Sequence, residues 1–102
     1  MEIITISKNR VRDYLAERLA RRVLQTDVND LILVLRFTPL GGLEYLSDED
    51  LLEQLISVHP ELNLMTIVGS NDDTLKLSVR EENAAEEADI LVDVKRIFQV
   101  IY

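Results

Sequence analysis

Leu31-Ile32-Leu33-Val34-Leu35 is an unbroken aliphatic run, preceded by the turn-forming residues 27–30 and followed by Thr38-Pro39. Five apolar residues without alternation are the pattern of a strand buried on both faces, as in parallel sheets clad with helices. The run predicts a central, parallel strand. After it, Pro39 removes a backbone donor and Gly41-Gly42 permits a sharp change of direction, so a loop is expected as far as Leu46.

Working toward the N-terminus, Val11, Leu15, Leu19 and Val23 recur every four positions with Ala16, Ala20 and Leu24 beside them. That spacing paints one apolar stripe on a helix over residues 9–25. Ser7 or Asn9 can cap it, and Glu17 before Arg21 is a favourable i,i+4 pair. The β-branched run Ile3-Ile4-Thr5-Ile6 ahead of it is long enough for one short strand.

Toward the C-terminus, Ser47 opens a helix: its hydroxyl can accept from the third residue on, Asp50 is the reciprocal carboxylate, and Leu46 and Leu51 form a hydrophobic staple. Asp48, Glu49 and Asp50 also oppose the positive end of the helix dipole. Leu51, Leu52, Leu55, Ile56 and Val58 supply its buried face, and Pro60 after His59 ends it. Residues 62–68 form another apolar strand, closed by Gly69-Ser70-Asn71-Asp72-Asp73. In residues 74–79, Leu75, Leu77 and Val79 alternate with Lys76, Ser78 and Arg80 at the next position, the period of a half-exposed edge strand and a hairpin partner for the strand before it. Residues 81–95 carry acid early and base late, with Ala84, Ala85, Ala88, Leu91, Val92 and Lys95 along one side, and predict a last helix. Residues 97–102 fit either its continuation or a final strand. The order β-α-β-α-β-β-α predicts an α/β fold, a mainly parallel sheet covered by helices with one antiparallel edge strand.

The chain has 102 residues, 47 % of them hydrophobic and 29 % charged, which suits one folded domain over residues 1–102. It has no cysteine, which excludes disulfides, thiolate zinc sites and cysteine nucleophiles and is compatible with a reducing compartment, so a cytoplasmic location is expected. No basic segment followed by an apolar run opens the chain, and no apolar stretch spans a bilayer, so neither export nor membrane insertion is predicted. A net charge of −8 disfavours nucleic acid as a partner, because phosphate binding draws on Lys and Arg. The charge is uneven: Lys8, Arg10, Arg12, Arg18, Arg21 and Arg22 crowd the first helix, while most acid lies beyond residue 27.

No catalytic constellation is legible. The one histidine, His59, stands at a helix end with no partner set by spacing, so a structural role is expected rather than acid–base or triad chemistry. The acidic groups Asp48-Glu49-Asp50 and Asp72-Asp73 each follow a strand, and in a parallel sheet they would share the edge where ligands bind. They could meet around Mg²⁺ or Ca²⁺, but neither has calcium-loop spacing, and helix capping and a solvated turn explain them without a cation. Gly41-Gly42 lacks the further glycine or lysine of a phosphate loop. No cofactor is expected.

Three stretches, Leu33-Val34-Leu35-Arg36-Phe37, Tyr45-Leu46-Ser47-Asp48-Glu49-Asp50-Leu51 and Leu64-Met65-Thr66-Ile67-Val68-Gly69, together resemble the centre of a STAS domain, the fold of sulfate-transporter tails and anti-sigma-factor antagonists. The resemblance covers about a third of the chain and is carried mostly by hydrophobic pattern. It implies a regulatory domain that works by docking. Arg36 stands where such domains commonly have Asp, and Asp48 and Glu49 stand at the family's phosphorylatable hydroxyl, so no kinase-reset switch is implied.

These readings converge on a non-enzymatic regulatory or scaffold domain that binds another protein. The candidate contact residues are Ser47, Asp48, Glu49, Asp50 and Glu53 at the acidic helix start, and Arg10, Arg18, Arg21 and Arg22 on the basic helix. Two alternatives stand beside it: a metal- or nucleotide-dependent enzyme with Asp48, Asp50, Asp72 and Asp73 as ligands, and an acidic inhibitor that imitates nucleic acid. An open strand edge at 74–79 or 97–102 would also allow a homodimer.

Overall fold

The computed structural model describes residues 1–24 and 42–102, with side chains described as far as residue 18 and again from residue 43. Strand β1 (Ile4–Ser7) runs into helix α1 (Lys8–Leu24); helix α2 (Asp48–Val58) is followed by a 3-10 turn (Pro60–Leu64), strand β2 (Met65–Ser70) and strand β3 (Thr74–Val79). A second 3-10 stretch (Glu81–Glu86) leads into helix α3 (Glu87–Ile101).

Among the described residues the sheet has three strands in the order β1-β3-β2, and both pairings are antiparallel. This overturns the mainly parallel sheet. The tight turn after β2 sends β3 straight back along it, and β1 then pairs with the far side of β3, so β1 and β2 point the same way without touching. A helix-length crossover permits parallel neighbours but does not require them. The run at residues 31–35, on which the parallel expectation rested, lies outside the described residues, as does the first stretch of the STAS-like pattern. The other two stretches form the start of α2 and strand β2.

Strand β3 is central rather than an edge. Its alternation has another origin: Leu75, Leu77 and Val79 face the core with Ile6 opposite Leu75 and Met65 opposite Val79, and Lys76 lies exposed on the other face. One-sided burial of an antiparallel sheet writes the same period-two pattern as an edge strand. Ser78 departs from it, being only 1 % exposed on the face away from the core.

The turn between β2 and β3 is organised by Asn71. Its Oδ1 accepts hydrogen bonds from the backbone N–H groups of Asp73 and Thr74, each at 2.8 Å, and from the Thr74 hydroxyl at 3.2 Å. This is an Asx turn, in which a short side chain takes the place of a backbone acceptor.

The core joins that sheet face to the three helices of the described residues. Val11 and Leu15 come from α1, Leu51, Leu52 and Leu55 from α2, Leu62 from the turn after it, and Ile90, Leu91, Val94, Phe98 and Ile101 from α3. For α3 the buried stripe differs from the expected one: Ala84, Ala85, Ala88, Val92 and Lys95 are exposed. Residues 81–86 form a 3-10 stretch, and the α-helix continues through Ile101, which settles the ambiguous 97–102 segment as helix. Among the described residues no helix is long and apolar enough to cross a membrane.

Candidate functional site

The starts of α1 and α2 and the β2–β3 turn meet at one end of the sheet, and Lys8 joins them. Its backbone N–H donates to the Asp73 carbonyl at 2.9 Å. Its ammonium lies 2.8 Å from Asp48 Oδ1, although the residue is only 8 % exposed. Asp48 is held below the usual carboxylate range by the hydrogen bond from Lys8 first and by one from Ser70 second, against the opposing effect of burial. A buried ammonium without a partner would be costly, so the pair is an internal clasp.

Ser70 reaches Asp48 because of a bulge. The register runs Ile67 opposite Leu77 and then Gly69 opposite Lys76, leaving Val68 as the extra residue. Each residue after Val68 is thereby turned to the opposite face from the one that simple alternation assigns. Ser70, paired with Leu75, comes to the helix-facing side, where α2 begins.

The acidic helix start is as expected in its capping and different in its use. Ser47 Oγ accepts from the Asp50 N–H at 3.2 Å, and its carbonyl from the Leu51 N–H at 2.9 Å. Asp48 turns inward to Lys8, while Glu49, Asp50 and Glu53 are exposed. Asp72 and Asp73 are exposed on the adjoining turn. The two acidic groups therefore share one end of the fold, through an antiparallel sheet rather than a parallel one. The cation beside them is Lys8, and among the described residues no three His, Cys, Asp or Glu side chains converge as metal ligands.

The basic helix has internal uses that spacing did not reveal. Arg12 Nε donates to the Leu43 carbonyl at 3.3 Å and its Nη1 to Asn9 Oδ1 at 3.0 Å. The Arg10 guanidinium lies 5.3 Å from the centroid of the Tyr102 ring, whose hydroxyl accepts from the Ser7 N–H. Arg18 covers the Tyr14 ring at 5.7 Å. The side chains of Arg21 and Arg22 lie outside the described residues.

His59, which sequence spacing left without a partner, has one. The Tyr14 hydroxyl and His59 Nε2 are 2.6 Å apart, and the two rings stack with centroids 5.8 Å apart and planes 16° from parallel. Arg18 Nη1 donates to the same hydroxyl oxygen at 3.3 Å. Burial first, and the Arg18 charge second, hold the imidazole below its ordinary pKa, with Glu61 acting the other way. Tyr14 and Arg18 sit one helical turn apart, which was legible; the approach of His59 from 45 positions away was not.

Tyr14 and Arg18 also line a groove of about 320 Å³ with Arg10, Asp13, Glu17, Val100 and Ile101. Its walls carry two guanidiniums and two carboxylates, a balanced set that favours no ligand charge. No protein-family model, curated protein or solved structure matches the chain.

Proposed function

We propose that the chain is a non-enzymatic regulatory or scaffold domain whose acidic end binds a basic surface of another protein. The observation that carries this reading is the placement of Glu49, Asp50 and Glu53 beside Asp72 and Asp73, all exposed, while Lys8 between the two elements is turned to Asp48. Carboxylates grouped around a helix start project a negative field that speeds encounter with a cationic partner and sets its orientation. The STAS-like succession of helix start and strand, present here as α2 and β2, is in keeping with a docking role. Asp48 and Ser47 hold the end in shape, and Glu49, Asp50 and Glu53 make the contact. A cysteine-free chain suits the cytoplasm, where we place it.

Affinity capture with the wild-type chain and with an E49K/D50K/E53K variant tests the reading. The wild type is expected to retain a basic protein that is released by raised salt and is absent from the variant's eluate. An identical set of captured proteins, with the variant still folded by circular dichroism, would refute it.

A further inference from the structure

We infer that Tyr14, His59 and Arg18 form a proton-operated latch between α1 and the end of α2, closed while His59 is neutral and released when it takes up a proton.

The backbone fixes where the imidazole stands. The His59 N–H closes α2 on the Leu55 carbonyl at 2.8 Å, its own carbonyl accepts from the Leu62 N–H at 3.0 Å, and Pro60 restricts the step between. Tyr14 is placed as firmly, because its neighbours Val11 and Leu15 are buried in the core. Arg18 can only donate to the hydroxyl oxygen, and in the closed latch we assign the phenol's one proton to His59 Nε2, which spares that oxygen from accepting from two donors at once. That arrangement requires an unprotonated Nε2, with the imidazole proton on Nδ1.

Protonation at Nε2 reverses the central bond. His59 and Arg18 then both donate to one oxygen, two cations are held against the same phenol, and the hydroxyl proton must turn toward the groove. The charged groups around the imidazole, among the described residues, are Arg18 on α1, which opposes its charge, and Glu61 on the following turn, which favours it. Asp13 and Glu17 line the groove on the Tyr14 side. Burial and Arg18 prevail over Glu61, so the folded state prefers neutral His59. With the folded pKa below the unfolded one, the latch contributes fully above the unfolded value, about 6.5, and less as pH falls from there toward the folded value.

His59 is the only histidine, so its imidazole resonances are unambiguous in NMR spectra. A titration of the wild type should show a midpoint below about 6.5, the Nδ1–H tautomer above it, and weakening of Tyr14–His59 ring contacts through the same midpoint. Tyr14→Phe removes the donor to the neutral ring, and Arg18→Gln removes the charge while keeping a donor. Each should raise the midpoint by about half a pH unit or more. An unshifted midpoint in both variants, or ring contacts that persist unchanged across the titration, would overturn the latch.

Discussion

Lys8 acts through two atoms at once: its amide ties α1 to the β2–β3 turn, and its ammonium ties α1 to α2 through Asp48. Lys8→Met keeps the apolar stem and removes only the charge, leaving Asp48 half-buried with Ser70. The expected loss is about 1–3 kcal/mol in urea denaturation, larger than for an exposed ion pair. The Asp48 carboxyl is depressed in the folded state, so its contribution is present above the unfolded value and disappears as pH falls through the lower folded value. Wild type and Asp48→Asn should therefore differ in stability at neutral pH and converge as pH falls through the lowered folded value. Ser47 presents a simpler case, because its hydroxyl satisfies one otherwise free N–H of α2. Ser47→Ala should cost about 1 kcal/mol, read from the same denaturation curves.

At the level of elements, the bulge in β2 decides more than its single residue suggests. Met65 and Ile67 face the core; were Val68 paired regularly opposite Lys76, Gly69 would come next on the core face and Ser70 would point away. Deleting Val68 keeps Gly69 opposite Lys76 and Ser70 opposite Leu75 in plain alternation, so the Ser70–Asp48 contact should survive and the urea midpoint should shift little more than in Val68→Thr, which keeps the residue count. A far larger loss on deletion would show that the bulge is needed for more than the facing it gives Ser70. Val68 itself is 45 % exposed, so its side chain contributes little to the difference. Gly69 is not required by backbone shape: an added Cβ would lie 3.7 Å from Lys76 Cδ, an ordinary contact. The hairpin beyond is held by Asn71, whose side-chain oxygen accepts three hydrogen bonds.

Across the whole molecule, one apolar core is set against a strong charge imbalance. Leu77 lies at the centre of the sheet between Ile4 and Ile67 and is fully buried. Leu77→Ala should cost about 2–5 kcal/mol by thermal or chemical unfolding, the range for a truncated core leucine. The net charge of −8 repels itself in the compact state, and added salt screens that repulsion. The thermal midpoint is expected to rise between low and moderate NaCl, despite weakening of the exposed Lys95–Glu2 pair. A falling midpoint would show that attractive pairs outweigh the general repulsion.

What the chain alone determined is local and periodic. The four-residue spacing in α1, the Ser47 cap with its acids, the Pro60 stop and the alternation in β3 all act within one or two turns of backbone, and each element formed where its pattern stands. Tertiary structure decided how the elements meet. Alternation cannot distinguish an edge strand from a central strand covered on one side, and crossover length does not select parallel pairing. The α3 stripe was misread because exposed alanines resemble a buried face until the 3-10 stretch shifts the helix start. The Tyr14–His59 bond and the Lys8–Asp48 clasp join positions 45 and 40 residues apart, where no spacing rule operates. The acidic end was visible as composition, but which of its carboxylates turns inward depends on a buried lysine and a bulge that only the assembled sheet brings together.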